Sequence, residues 1–396
     1  MWSNVNRLER LATWYSYSTA AVRRLISLYG VERGEAILKS LKKPGSRYFL
    51  RVNTLKASPR EVVEILRGEG LEAYTFELLP DAVYMRVAGP FEVKLHRRVV
   101  VADKAAAESV YMGADLYAPG VLNARGVREG DRVSVVSPKG HLVAEGIAVM
   151  DGEEMVVRRR GLAVKVVKSV YRVPSVRRLI IYDRGLVYDQ SLPAMVASHV
   201  LAPKPGWLVV DMCAAPGGKA THVAQLMGDE GRVVAIDRSE AKCDRLRENV
   251  ERLGLRSIEV RTADSRFLDV LMDDLRGVDA VILDPPCSAL GVRPSLYYER
   301  SDFAFESLSR YQRQFMKVAA RLLRPGGLLL YSTCTLSLEE NEVNVKWATR
   351  KLGFKLRAQK LFLGSRGFLS LGSLVQRFEP DVHDTPGFFI ALLEKK

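Results

Sequence analysis

Two cysteines stand where chemistry is possible. Cys287 lies in "DPPCSALG", residues 284–291, and Cys334 in "LLLYSTCTLSLEENE", residues 328–342. The apolar run Leu328–Tyr331 reads as a buried strand, and Cys334 sits in the loop at its carboxyl end. Cys287 follows a second apolar run, "VDAVILD", after a carboxylate and two prolines that fix the backbone and aim side chains into a crevice. One buried thiol is ordinary packing, since free cysteine is among the most buried residue types. Two thiols at neighbouring strand ends, beside Asp284, point instead to nucleophilic chemistry, which needs a thiolate and groups that stabilise it. Cys213, in a tight loop, and Cys243, in a helix, keep the packing reading. No cysteine forms a CxxC pair, so no zinc site, and no other metal, is expected. Disulfides are rare in a reducing cytosol.

The elements that position these thiols are legible from residue 207 onward. "WLVVD", "RVVAID", "IEVRTAD" and "VDAVILD" read as strands, and "GKATHVAQLM" and "SEAKCDRLRENVERLG" as helices between them. "ESLSRYQRQFMKVAARLLRPGG" reads as a long helix ending at Gly326-Gly327. This alternation predicts a parallel sheet covered by helices on both faces. In such sheets ligands bind beyond the carboxyl ends of the strands. The first strand delivers "DMCAAPGGKA", residues 211–220, where small residues and glycines let backbone N–H groups approach a ligand at a helix N-terminus. The next strands end in Asp237, near Asp264 and in Asp284. Asp237 lies 26 residues after Asp211, close to where a doubly wound fold places the acid for a ribose diol.

The front of the chain is different. Residues 7–43 have helical apolar spacing, "YFLRVNTLK" reads as a strand, and "SPREVVEILRGEG" as a helix with Ser58 as N-cap and Pro59 at its first position. From 92 to 174, short Val-rich runs such as "RRVVVAD", "DRVSVVSP" and "EEMVVRRRG" read as strands of a small β-barrel or sandwich. A connector with one helical stretch near 190–201 follows. The reading is three parts: 1–91, 92–174 and 175–396. The net charge is +14, and residues 1–190 hold 31 Lys and Arg against 21 Asp and Glu. A basic half joined to a nearly neutral one suggests a polyanion-binding module. No apolar stretch approaches the ~20 residues that span a bilayer, and MWSNVNRLER lacks the layout of a signal peptide. A cytoplasmic protein without membrane contact is expected.

"DMCAAPGGK", "DPPCSALG" and "LLLYSTCTLSLEENE" together resemble the Sun/Fmu-type (NOL/NOP/Sun) family of S-adenosylmethionine-dependent RNA cytosine-5 methyltransferases. "LRVNTLK" is similar to that family's N-terminal RNA-binding region, and "AAAESVYMGADLYAPGVLNARGVREGDRVSVV" is similar to a PUA domain. The resemblance implies an α/β fold: a Rossmann-like class I methyltransferase domain, an RRM-like N-terminal region and a PUA β-barrel. A PUA insertion resembles the branch that methylates cytosine 72 of tRNA, beside the CCA end. It implies Cys334 as the nucleophile, Cys287 as the thiol that helps release product, and Asp284 holding the N3/N4 edge of the base. Lys219 would contribute positive charge. S-adenosylmethionine would be held by Cys213, Ala214, Ala215, Pro216, Gly217, Gly218 and Lys219, with Asp237 and Lys242 at the ribose, Asp264 at the adenine, and Asp284 nearby. Lys242 departs from relatives, which often carry Arg there.

For RNA, the PUA segment offers Lys104, Tyr111, Tyr117, Arg125, Lys139, Arg158, Arg159 and Arg160, as aromatics stack on single-stranded bases and cations meet phosphates. The expected partner is the acceptor stem and CCA end of tRNA, met by a monomer. Two rivals stand beside this: the same chemistry on ribosomal RNA, and a non-catalytic RNA-binding assembly factor, against which intact Cys287, Cys334 and Asp284 argue. An amino-methyltransferase would carry an aromatic residue where Cys287 stands.

Overall fold

The computed structural model describes the backbone of residues 2–396 and the side chains from Arg7 onward. The catalytic sheet contains seven main strands: Leu208–Asp211, Arg232–Asp237, Ile258–Thr262, Val278–Leu283, Leu323–Thr333, Gly372–Phe378 and Phe388–Lys395. Their spatial order is third, second, first, fourth, fifth, seventh, sixth. The first five are parallel, and the seventh runs antiparallel to the fifth, with Ser332 opposite Ile390. The central strands are apolar on both sides because helices cover both faces. Val209, Ala280, Ile282 and Leu330 belong to one buried layer, and Val210, Val281, Leu283, Leu329 and Tyr331 to the other. Register pairs Asp211 with Ile282, and Leu283 with Tyr331. The carboxyl ends of the first, fourth and fifth strands therefore share one edge.

The long helix is Asp302–Leu322, and the chain turns extended at Leu323. Arg324-Pro325-Gly326-Gly327 thus enters the fifth strand rather than closing the helix. Pro325 cannot continue a helical ladder, and the residue before it is driven to extended geometry.

The N-terminal sheet has four antiparallel strands in the order Val187–Asp189, Arg47–Val52, Ala82–Arg86, Ala73–Thr75. Its helix, Pro59–Gly68, starts with a reciprocal capping box between Ser58 and Glu61. Residues 187–189, on the connector that the sequence joins to the catalytic part, form one strand of this sheet: Leu50 pairs with Asp189 and Val52 with Val187. The PUA-like part is inserted between these strands. Three helices, Trp2–Tyr15, Thr19–Tyr29 and Val31–Leu41, precede the sheet. Val22, Leu25, Ile37 and Leu38 pack with Leu290, Tyr298, Phe305 and Leu336 of the catalytic part, which braces the loops that carry the two thiols.

The inserted part is a six-stranded sheet of its own, with a core of Val100, Val110, Val133, Val143 and Val164. "EEMVVRRRG" is not a strand there. Gly152–Arg158 is a helix that follows Asp151, with Glu153 and Glu154 in its first turn and Met155 as its buried anchor. Val157 faces solvent at 83% exposure, so its β-branched character carried no packing information. Among the described residues no helix is long and apolar enough to cross a membrane.

Candidate active site

The thiols meet because two loops are laced together. The backbone N–H of Gly291 donates to the carbonyl of Cys334 at 3.0 Å. The hydroxyls of Ser288 and Thr335 lie 2.6 Å apart, and the Ser288 N–H donates to the buried carboxylate of Glu340 at 2.9 Å. Gly291 also touches Gly387, where any Cβ would come within 2.2 Å of a carbonyl oxygen, so only glycine allows the approach. The result places the sulfurs of Cys287 and Cys334 3.3 Å apart, within reach of an S–H hydrogen bond. The hydrogen bond to Cys334 and then burial push the Cys287 thiol well up, with the Glu340 and Asp284 carboxylates adding to the shift. Cys287 therefore holds its proton, and either sulfur can be the donor across the 3.3 Å contact.

Asp284 sits at the end of the fourth strand and is ion-paired with Lys219. Lys219 lies in the first turn of the helix Gly218–Leu226 and is almost fully buried. Burial works to lower its pKa, but the Asp284 carboxylate more than offsets this, Asp211 and Cys334 act in the same sense, and the ammonium is held charged. Burial pushes the Asp211 carboxyl up to about 7, with Lys219 and the Cys213 N–H pulling the other way. The four groups named from sequence as chemistry, Cys334, Cys287, Asp284 and Lys219, are thus brought to one edge of the sheet.

The loop "CAAPGG" leads into the same helix. Gly217 has φ +112°, and a Cβ there would meet Leu246 at 2.4 Å. The backbone is forced close, and the first-turn N–H groups of the helix open beside it. Asp237 ends the second strand with one carboxylate oxygen accepting from the Ser239 N–H at 3.1 Å; the other has no partner among the described residues. Lys242 is exposed on the following helix. This donor set, helix N–H groups for a carboxylate and a free carboxylate oxygen for a diol, fits an amino-acid nucleoside such as S-adenosylmethionine. Asp264 differs: its carboxylate caps the next turn and is gripped by Arg266, which lowers its pKa. Cys213 is a half-buried thiol whose pKa is raised, by burial first and then by the Asp211 carboxylate, which does not suit nucleophilic chemistry.

The residues expected to meet RNA do not form one surface. Tyr117 is 55% exposed, and the Arg159 guanidinium donates to the adjacent Pro119 carbonyl at 2.7 Å. Arg125 and Arg160 are exposed without an ion-pair partner among the described residues. Arg158 is paired with Glu154. Lys104 and Lys139 instead turn toward the catalytic part, against Ser295 and Glu299, and Lys104 also pairs with Glu108 on its own helix. Tyr111 packs edge-on against Tyr171 and is half-buried. A cleft of about 1710 Å³ opens between the three parts, lined by Arg47, Tyr117, Lys168, Arg172 and Arg177 and bordered by Pro216. The thiols do not line it.

Sequence reasoning missed the residues that join the parts. "LRVN", residues 50–53, is buried: Arg51 and Asn53 are 1% and 2% exposed, so neither can meet RNA. Asn53 donates to the carbonyls of Leu253 and Gly185, and Gln225 donates to the Val52 carbonyl at 3.0 Å. Asp81, in the turn that leads into the strand Ala82–Arg86, is held by His222 at 2.6 Å and by His199 at 2.9 Å. Two histidines and a carboxylate have the composition of a metal site. Their atoms lie at hydrogen-bond spacing, whereas metal bonds of 2.0–2.2 Å would set tetrahedral donors roughly 3.3 Å apart. Nδ1 of His222 is buried with no partner among the described residues, while a metal-bound imidazole gives its other N–H to an acceptor. The group reads as a clamp between two parts.

Comparison with known proteins decides the family. Residues 198–394 match the family described as 16S rRNA methyltransferase RsmB/F. Residues 98–170 match the PUA domain, and 21–92 match the RsmF/B-like ferredoxin-like domain. The chain is 47% identical over 377 residues to the tRNA (cytosine(72)-C(5))-methyltransferase of Pyrococcus horikoshii, covering 93% of this chain and 94% of that one. The chain belongs to the RsmB/F methyltransferase family. It is also 32% identical over 400 residues to human tRNA (cytosine(72)-C(5))-methyltransferase NSUN6, covering 89% and 84%. The crystal structure of NSun6 from Pyrococcus horikoshii with SFG, an S-adenosylmethionine analogue, superposes with a TM-score of 0.87 at 45% identity, covering 96% of this chain and 98% of that one. The family, the class I methyltransferase fold and the PUA insertion expected from sequence are those found.

Proposed function

We propose that the protein methylates carbon 5 of a cytosine in the acceptor stem of tRNA, at position 72, with S-adenosylmethionine as donor. The observation that carries this is the pair of sulfurs 3.3 Å apart beside the Lys219–Asp284 ion pair. The PUA insertion and the full-length similarity to proteins named for cytosine 72 support the choice of tRNA and position.

Carbon 5 of cytosine is a weak nucleophile, so the chain has to activate it. The target base is inside a helix and must be extruded; a terminal pair is the cheapest to open. The Cys334 thiolate bonds to carbon 6, and the ring π electrons shift toward carbon 5 and N3. Asp284, backed by the Lys219 ammonium, holds the N3/N4 edge, where a proton must be lent as charge develops. When bound, S-adenosylmethionine supplies an electrophilic methyl group to carbon 5. A base then takes the carbon-5 proton, the bonding pair restores the C5–C6 double bond, and the S–C6 bond breaks with its electrons returning to sulfur. Cys287 is placed to donate its S–H to that returning thiolate. Cys213 to Lys219 and Asp237 hold the donor, with Lys242 at the ribose side and Asp264 near the adenine.

The test is 5-methylcytosine mapping in tRNA incubated with the protein and S-adenosylmethionine. Methylation at position 72, lost when that base is uracil, is the expected result. Methylation of a 16S rRNA fragment instead would assign the same chemistry to ribosomal RNA, and no binding of S-adenosylmethionine would favour an assembly factor.

A further inference from the structure

The N-terminal sheet reaches the cofactor loop through one buried guanidinium. Arg51 donates to the Gly218 carbonyl at 2.7 Å, to Oε1 of Gln190 at 2.8 Å and to Oγ1 of Thr221 at 2.9 Å. Thr221 passes the contact on, donating its own hydroxyl to the Gly217 carbonyl at 2.6 Å. The guanidinium also lies 5.0 Å from the ring of Tyr188, whose hydroxyl donates to the Pro216 carbonyl at 3.2 Å. Residues 216, 217 and 218 are therefore all held, directly or through one side chain, by Arg51.

The charge is unusual in its setting. No carboxylate lies within ion-pair distance of Arg51 among the described residues, and Asp81, whose charge acts on it, is held by two histidines. Burying an unpaired cation is costly. A carbonyl-holding role alone could be filled by neutral donors. A cation under the first turn of a helix adds to the positive potential at that helix's N-terminus, where an anionic group binds.

We propose that Arg51 is a positioning residue for S-adenosylmethionine: it fixes the backbone of residues 216–218 and lends positive charge to the N-terminus of the helix Gly218–Leu226. The N-terminal part, similar in sequence to an RNA-binding region, thereby acts on the cofactor. This rests on reading residues 213–219 as the cofactor loop.

The experiment uses the full chain without RNA, titrated calorimetrically with S-adenosylmethionine and with sinefungin. Arg51→Met should raise both dissociation constants about 10- to 150-fold, the range of a lost charge-assisted hydrogen bond. Arg51→Lys should recover part of the loss, because it keeps the charge. Hydrogen exchange of residues 213–222 should quicken in Arg51→Met. The KM for S-adenosylmethionine should rise while kcat at saturation stays within about threefold of wild type, and tRNA affinity should not change. Gln190→Leu, which removes one partner and leaves the cation, should raise the dissociation constant more modestly; if Arg51→Met does not fold, an unchanged affinity in Gln190→Leu overturns the proposal. Loss of tRNA affinity with cofactor affinity intact also overturns it. Asp237→Ala is the control: if that variant loses cofactor affinity and Arg51→Met does not, the Arg51 assignment is wrong; if neither loses it, the loop assignment is wrong.

Discussion

Acid should loosen the grip of the N-terminal part on the helix Gly218–Leu226, and His222 sets the size of the effect. His222 is fully buried in that helix, and burial pushes its pKa down to about 4 from 6.5, with the Asp81 carboxylate only partly opposing. A group with a depressed folded pKa contributes stability that is complete above its unfolded value and is lost as pH falls toward the folded one. The window is therefore pH 6.5 down to 4. Across it the unfolded chain binds a proton that the folded chain refuses, at about 1.4 kcal/mol per pH unit. At pH 5 the loss is about 2 kcal/mol relative to pH 7.5, and over the full window roughly 3 kcal/mol. Asp81, whose pKa is held well below the usual carboxylate range against the pull of burial, adds its own loss only below that window. His222→Gln keeps a donor for Asp81 but cannot titrate. Guanidinium unfolding at pH 7.5 and pH 5 should show a wild-type stability drop about 2 kcal/mol larger than that of the variant. Parallel pH dependences in the two proteins would refute a neutral, buried His222.

Three further outcomes follow from the site. Asp237→Ala removes the carboxylate oxygen left free for a diol, so the dissociation constant for S-adenosylmethionine should rise about 10- to 150-fold by calorimetry; no change would move the ribose contact elsewhere. Replacing Arg125 and Arg160 together by Ala should flatten the salt dependence of tRNA binding by roughly one unit of slope per lost phosphate contact in a filter titration; an unchanged slope would take both residues out of the RNA interface. Glu340→Gln keeps the acceptor for the Ser288 N–H but removes the charge behind Cys287, so the Cys287 thiol should titrate at lower pH in thiol-alkylation kinetics, while an unchanged profile would deny Glu340 that role.

What the sequence exposes and what it hides have physical causes. The central strands are apolar on both faces, and the first, second and fourth run into Asp211, Asp237 and Asp284, so local pattern alone marks "VDAVILD" and the loop that follows it. The gathering of Cys287, Cys334 and Asp284 follows from the adjacency of the fourth and fifth strands, which the sequence reading takes as neighbours and the register shows to be so. Residues 187–189 could not be placed, since three residues carry no periodicity and their pairing with Arg47–Val52 spans more than 130 positions of chain. Gly152–Arg158 was hidden by two valines that favour strands and here face solvent or nearly so. The burial of Arg51 leaves no trace in the sequence, because charged side chains are rarely buried and nothing local reports that Gly218 and Thr221 lie against it.

The roles proposed for the two thiols are opposite: Cys334 forms the bond to the base, and Cys287 assists its rupture. Denaturing gel electrophoresis of labelled tRNA with S-adenosylmethionine and each cysteine variant tests this most directly. Removing the Cys287 S–H takes away the donor to the departing thiolate, so Cys287→Ala should accumulate a protein–RNA adduct that survives boiling in detergent. Cys334→Ala and the double variant should form none, and the band should vanish when cytosine 72 is replaced by uracil. An adduct in Cys334→Ala, or its absence from both single variants, would contradict the account.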